Sequence, residues 1–240
     1  GESGAAQEAV DVLIDRQVDG IIFAATRPEQ LEVPRHVRGT PIVMLNATAE
    51  NGVPAVLADE YRGARAIVDL LLDAGHTSNV AILGLSRSQP PLQPLTVGVR
   101  RRLDGIWDSL NAHGVVPVAE VACEPWLLEC GYAATREVLS GGLRPQSLIC
   151  LNDRIAFGAY RALAEAGLRV PDDVSIISFD DDDIAVYLEP KLTTAAFPYE
   201  RMGELAVRVV LGLTDPRDEY LVDMPLKVRG SVRGINPVAG

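Results

Sequence analysis

Cysteine, histidine, aromatic residues and positive charge are all scarce in this chain. Its 240 residues hold three cysteines and three histidines, only 5% of residues are aromatic, and 22 Lys+Arg face 33 Asp+Glu for a formal charge of −11. Each shortage excludes something. Cys123, Cys130 and Cys150 are an odd and sparse set, which suits buried thiols in a reducing compartment better than a disulfide framework. The Cys123–Cys130 spacing is not a usual zinc spacing and His113 is the only nearby histidine, so core packing is the plainer role, with a redox-sensing pair as the weaker alternative. The acidic balance leaves no positive surface with which this chain could itself grip a phosphate backbone. No window approaches the ~18 uncharged apolar residues of a membrane span. The first sixteen residues, opening Gly1-Glu-Ser-Gly-Ala, have neither the basic nor the apolar region of a signal peptide. No P-loop, no G-x-G-x-x-G after a strand, no H-E-x-x-H and no G-x-S-x-G occurs.

What is present is apolar material in a regular arrangement. At 48% apolar and 23% charged residues the chain is globular, and long enough for one large domain or two small ones. Nearly continuous apolar runs occur at Gly20–Ala25, Pro41–Leu45, Ala55–Ala58, Val80–Leu85, Leu148–Leu151 and Val174–Phe179, the reading expected of strands covered on both faces. Segments of helical period lie between them: Ala5–Arg16, Glu60–Ala74, Val99–His113, Leu127–Leu139 and Arg154–Ala166. Strand–helix alternation predicts βαβ units and parallel sheets. Gly75, Gly114 and Gly167 stand where a left-handed residue closes a helix, and Asn152 or Asp153 caps the last one. The chain opens on a helix, so the expected first strand of that half is missing. Ser86–Thr96, with three prolines, reads as a long loop.

The residues that follow the strands carry the functional signal, because open α/β sheets bind ligands at the carboxyl ends of their strands. Thr26, Asn46, Ser86, Asn152-Asp153 and Asp180 to Asp183 all take such places. Carboxylate and amide oxygens accept from hydroxyls and an arginine fork donates to them, which suits a polyhydroxylated small molecule; Trp126 can stack on the C–H face of a sugar ring. The competing reading is helix capping, for which Asn, Asp and Ser are the usual residues. The Asp180–Asp183 run could also hold a cation or act in acid–base chemistry, but His36 and His76 have no nucleophile partner in sequence. The expected use of the run is ligand contact by one or two members, with capping or solvation for the others.

Several motifs then converge. Val170-Pro-Asp-Asp-Val-Ser-Ile-Ile-Ser-Phe-Asp-Asp181 is followed by Pro190-Lys-Leu-Thr-Thr194, by Pro198 and by Met202-Gly203. With them stand Val18-Asp-Gly-Ile-Ile22, Asp59 with Tyr61-Arg-Gly-Ala64, Gly75-His76, Asn152-Asp153 with Gly158-Ala159, Gly167-Leu168 and Arg229-Gly-Ser-Val232. In order and spacing this series resembles the LacI/GalR family of bacterial transcriptional repressors over essentially the whole chain. The resemblance implies an α/β fold of periplasmic-binding-protein type I: two doubly wound parallel-sheet subdomains joined by three crossovers, with a small effector in the cleft. It implies residues 1–58 plus 197–224 for the N-terminal subdomain and 59–196 plus 225–240 for the other, the chain being truncated before its first strand. It assigns ligand contacts to Asn46, Arg102, Trp126, Asn152, Asp180 and Tyr199, with Arg100 and Arg101 as one-residue alternatives to Arg102. It further implies no catalysis, no cofactor and no metal, a mono- or oligosaccharide effector, and operator DNA read by a helix-turn-helix head absent from these residues. A cytoplasmic homodimer without membrane attachment, with Asp59–Ala74 among its interface helices, completes the expectation. The alternative is a periplasmic sugar-binding protein of a transporter.

Overall fold

The apolar runs end at glycine, proline or polar residues, and in the computed structural model they pair side by side. The structure describes residues 8, 11–24, 30–31, 39–49, 52–89, 91 and 95–234. Thr26, His36 and residues 5–7, 9 and 10 of the expected helix Ala5–Arg16 lie outside them; residues 8 and 11–15 are helical. The chain divides into two units, Gly1–Asp59 with Thr96–Arg101 and Pro198–Asp223, and Glu60–Leu95 with Arg102–Phe197 and Met224–Gly240. The first unit thus takes in residues 96–101, which the resemblance puts in the second.

In the first unit, strands β1 (Ile21–Ala24), β3 (Ile42–Leu45), β5 (Ala55–Ala58) and β11 (Glu219–Val222) form one sheet in that order, all parallel. A minor parallel ladder joins β2 (Gln30–Leu31) to β4 (Thr48–Ala49). Helix α5 (Tyr199–Val210) packs on β1, β3 and β5. Met44, Ala47, Ala55 and Leu57 make the core, with Phe23, Ile42, Ala49 and Val53 against it. Strand β1 departs from the expectation of burial on both faces: Ile22 is 37% exposed, and β1 lies at the end of the sheet order.

In the second unit, β6 (Val80–Gly84), β7 (Ala119–Ala122), β8 (Ser147–Cys150), β9 (Ser175–Asp180) and β10 (Thr193–Ala196) are parallel, and β12 (Leu226–Lys227) closes the sheet antiparallel to β10. The spatial order is β12-β10-β9-β8-β6-β7. Taken along the chain, the five parallel strands stand in the order 2-1-3-4-5, a doubly wound arrangement whose direction reverses between β6 and β8. Helix α1 (Glu60–Asp73) packs on β9, β10 and β12, α3 (Leu128–Ser140) on β6 and β7, and α4 (Asp153–Glu165) on β8 and β9; α2 (Val97–Ala112) crosses α1 where Gly105 meets the Tyr61 carbonyl. The helix stops behave as the glycines predict, with φ of +92°, +65° and +73° at Gly75, Gly114 and Gly167.

Helices α3 and α4 touch backbone to backbone. A Cβ on Gly158 would stand 2.1 Å from the Leu128 carbonyl oxygen, and one on Gly131 would stand 2.2 Å from that of Ile155. Neither neighbour can retreat, since each belongs to a helix or its first turn. Overpacking in a dense interior costs about 1–3 kcal/mol and sometimes more. Gly158→Ala is therefore expected to lower unfolding stability by at least about 2 kcal/mol, read as a shift in urea midpoint, whereas Gly203→Ala, whose Cβ would meet nothing within 4 Å, should leave it nearly unchanged.

Candidate functional site

The reversal between β6 and β8 defines where a ligand site belongs, because adjacent connections that leave a sheet in opposite directions open a crevice at the carboxyl ends of the strands. The polar residues predicted from the second unit gather there. Just past β8, Asn152 caps α4: its Oδ1 accepts from the Ile155 N–H at 2.9 Å, and its Nδ2 donates to the Trp126 carbonyl at 3.2 Å. The capping role is real, and the same side chain ties down the Trp126 segment. The Trp126 indole N–H donates to the carbonyl of Gly84, the last residue of β6, at 3.2 Å. Ser86, a little further on, is buried and hydrogen-bonds Ser88 through the two hydroxyls at 2.7 Å; part of the proline-rich loop after it lies outside the described residues.

Arg102 is the centre of this edge. It is 4% exposed, and its guanidinium forks onto Glu60, Nε to Oε2 at 2.7 Å and Nη2 to Oε1 at 2.8 Å. Nη2 also donates to Asp180 Oδ1 at 3.0 Å, and Nη1 donates to the Leu151 carbonyl at 2.5 Å. The group lies over the Phe179 ring, 4.6 Å from its centroid. Burial works against the Arg102 charge, but the Glu60 and Asp180 carboxylates outweigh it and hold the pKa above the usual arginine value. The neighbouring arginines differ in their contacts: Arg101 pairs with Glu219 of β11 at 2.9 Å, while Arg102 meets Asp180 at 3.0 Å.

The acidic run does not converge on one point. Asp180 faces Arg102 at 3.0 Å, Asp181 faces Arg229 at 2.7 Å and Asp182 faces Arg154 at 3.2 Å. Among the described residues no group of three His, Cys, Asp or Glu could hold a metal ion. Asp180 and Asp181 have φ of +103° and +57°, a left-handed backbone that non-glycine residues rarely adopt and that concentrates at functional sites. Asn46, directly after β3 in the first unit, has φ of +56°. Tyr199 opens α5 in that unit and is 70% exposed. Asn46 and Tyr199 thus belong to the first unit, and Arg102, Trp126, Asn152 and Asp180 to the second.

Glu60 escapes the reading of strand ends at this edge, whereas Asp153 is caught by it beside Asn152. Glu60 follows β5 as closely as Asn152 follows β8, so the same post-strand rule singles it out once applied to Ala55–Ala58. Asp153 is almost fully buried; its Oδ1 accepts from the Thr194 hydroxyl at 2.9 Å and its Oδ2 from the Asp182 N–H at 2.7 Å. Burial, with the Asp180 charge adding to it, pushes its carboxyl up to about 7 against those hydrogen bonds. The cysteines have no part in the edge chemistry: Cys123 and Cys150 are buried, Cys130 is half-buried, all three are free thiols, and burial pushes the first two well above the ordinary thiol value.

Two outcomes follow. Arg102→Ala leaves Glu60 and Asp180 without their shared cation, and breaking a buried pair costs about 3–5 kcal/mol, so the variant should unfold at much lower denaturant. Asp153 binds its proton in the folded state up to about pH 7, whereas an unfolded aspartate releases it near about 3.9. Folded Asp153 therefore loses stability as pH rises through that window. Asp153→Asn should gain on the native chain by up to about 2 kcal/mol between pH 5 and 7, measured by urea unfolding at both values.

Comparison with known proteins agrees with this architecture. Residues 68–232 match the periplasmic binding protein-like domain family. The ribose operon repressor of Escherichia coli K12 is 30% identical over 206 residues, which cover 84% of this chain and 60% of the repressor; the chain thus spans about three-fifths of that relative's length. The structure of a dimeric lac repressor superimposes with a TM-score of 0.75 at 24% identity, covering 96% of this chain and 83% of the other. A LacI family transcriptional regulator from Enterococcus faecium with bound ribose superimposes with a TM-score of 0.72 at 26% identity, covering 96% and 85% of the two chains. The parallel sheets of both units, the ordered motifs and these likenesses together place the chain in the periplasmic-binding-protein-like domain family, among proteins of the LacI/GalR type.

Proposed function

We propose that this chain is the effector-sensing part of a LacI-type transcriptional regulator, which binds a small polyhydroxylated ligand, a sugar, and thereby controls DNA binding by a helix-turn-helix head outside these residues. The observation that carries the reading is the crevice edge at the reversal between β6 and β8. There two hydrogen-bonded sets meet at the adjacent residues Leu151 and Asn152: Asn152 with Trp126 and the Gly84 carbonyl, and Arg102 with Asp180 and the Leu151 carbonyl. An indole face, an amide, a carboxylate and a guanidinium are the groups that recognise a ring bearing hydroxyls. The ribose held by the Enterococcus faecium regulator supports the ligand class, and the repressor relatives leave the transporter alternative without comparable support.

Asn46 and Tyr199 join the ligand contacts in this reading. Their positions after β3 and at the start of α5 put them at carboxyl strand ends and a helix start of the first unit. The regulator works as a cytoplasmic homodimer on operator DNA, and the chain itself carries out no catalysis and needs no metal or cofactor. No helix among the described residues is long and apolar enough to cross a membrane. The charge of −11 suits a sensor that leaves phosphate contacts to another part of the protein. Allostery follows if the ligand binds two states with different affinity.

A thermal-unfolding screen of neutral sugars tests the reading. An effector present at about 100 times its dissociation constant stabilises the fold by about 2.7 kcal/mol. Trp126→Ala should remove that stabilisation while leaving the unliganded unfolding temperature within a few degrees. A screen in which no sugar moves the transition would overturn the ligand class.

A further inference from the structure

Glu60 occupies a place that decides what Arg102 can do. An arginine at a ligand site is ordinarily an anion grip, because its planar fork matches a carboxylate or phosphate. Here the fork is already closed on a carboxylate of the same unit, at 2.7 and 2.8 Å, and both partners are 4% exposed. A second carboxylate, Asp180, takes another donor at 3.0 Å, and the Leu151 carbonyl takes one at 2.5 Å. A guanidinium has five N–H donors. These contacts engage four of them, so at most one is left for a ligand, and one donor suits a hydroxyl rather than the paired oxygens of an anion.

The charge count points the same way. The group is two carboxylates around one guanidinium, and it is negative as a whole. The neighbouring cations do not reverse this, since Arg229 is matched by Asp181 at 2.7 Å and Arg154 by Asp182 at 3.2 Å, while the buried Asp153 carboxyl adds further negative character as it ionises near pH 7. An anion brought to this edge would meet a net negative field in a poorly solvated place, where charge repulsion is strong.

We infer that Glu60 is a specificity-determining residue: by closing the Arg102 fork it restricts the effector to uncharged polyhydroxylated molecules and excludes their phosphorylated or carboxylated counterparts. The inference rests on the sugar-binding reading above and deepens it, naming the effector's charge class. Exclusion works through a repulsive element, as discrimination between similar ligands often does. Glu60→Gln keeps the shape of the side chain and its capacity for a hydrogen bond with the guanidinium, but removes one negative charge and leaves Arg102 balanced by Asp180 alone.

The test compares neutral sugars with their phosphate monoesters (ribose, glucose and galactose, each in both forms) by isothermal calorimetry on the native chain and on Glu60→Gln. The native chain is expected to bind one neutral sugar at least ten-fold more tightly than its phosphate ester. Glu60→Gln is expected to narrow that ratio at least ten-fold, chiefly by gaining affinity for the ester. Native binding of an ester as tight as that of its neutral sugar would overturn the inference without touching the sugar-binding reading. So would a folded Glu60→Gln, shown by a cooperative thermal transition, with an unchanged ratio. If the variant does not fold, the native ratio still decides the charge class. Failure of every sugar, neutral and phosphorylated alike, to bind the native chain would instead overturn the reading on which the inference rests.

Discussion

The buried contact of Arg102 with Glu60 and Asp180 is the constraint around which the second unit's ligand edge is arranged. Charges at 4% exposure are costly to bury unless they are matched and hydrogen-bonded, and here the matching uses residues from four places: the start of α1, the first half of α2, the end of β9, and the carbonyl just past β8. Once the guanidinium is satisfied, each of those segments has little freedom to move separately. The Phe179 ring beneath it adds a flat apolar support, so the cation is held by geometry as well as by charge.

Around that centre the strand ends are secured by hydrogen bonds that serve packing and function together. Asn152 caps α4 and also holds the Trp126 carbonyl; Trp126 in turn donates to Gly84 at the end of β6. Asp153 accepts from the backbone of Asp182 and from Thr194 on β10, which holds the unusual positive-φ turn at Asp180 and Asp181. The close approach of α3 to α4 through Gly131 and Gly158 places the helix that follows Trp126 directly against the helix that Asn152 caps. Helix capping and ligand recognition are not exclusive uses of these residues, since a capped and rigid edge is what a preorganised site requires.

Much of the fold was legible because its signals are local. Continuous apolar runs of four to six residues identified six strands, and helical period, with closing glycines after α1, α2 and α4, identified α1 to α4 within about two residues at each end. The two-residue strands β2, β4 and β12, strands β7, β10 and β11, and helix α5 were not read from residue pattern. Ala119–Ala122 is short and half-buried, Thr193–Ala196 has two threonines whose burial comes only from neighbours, and Glu219–Val222 alternates instead of running apolar. Their strand character comes from pairing with distant segments. The post-strand rule brought out Asn46, Asn152 and Asp180, the stacking face of its indole brought out Trp126, and the family resemblance brought out Arg102 and Tyr199; Glu60 was missed although it stands just past β5.

The sequence by itself determined the kinds and order of the elements, the parallel α/β class and the polar residues available at the strand ends, because periodicity and turn chemistry act over a few residues. Tertiary structure alone decided which charge meets which. Arg102 finds Glu60 at a separation of 42 residues and Asp180 at 78, while its neighbour Arg101 reaches Glu219 at 118. Three adjacent aspartates go to three different arginines. No local pattern encodes such pairings. They follow from where the sheet order brings strand ends together and from the high cost of leaving a buried charge unmatched.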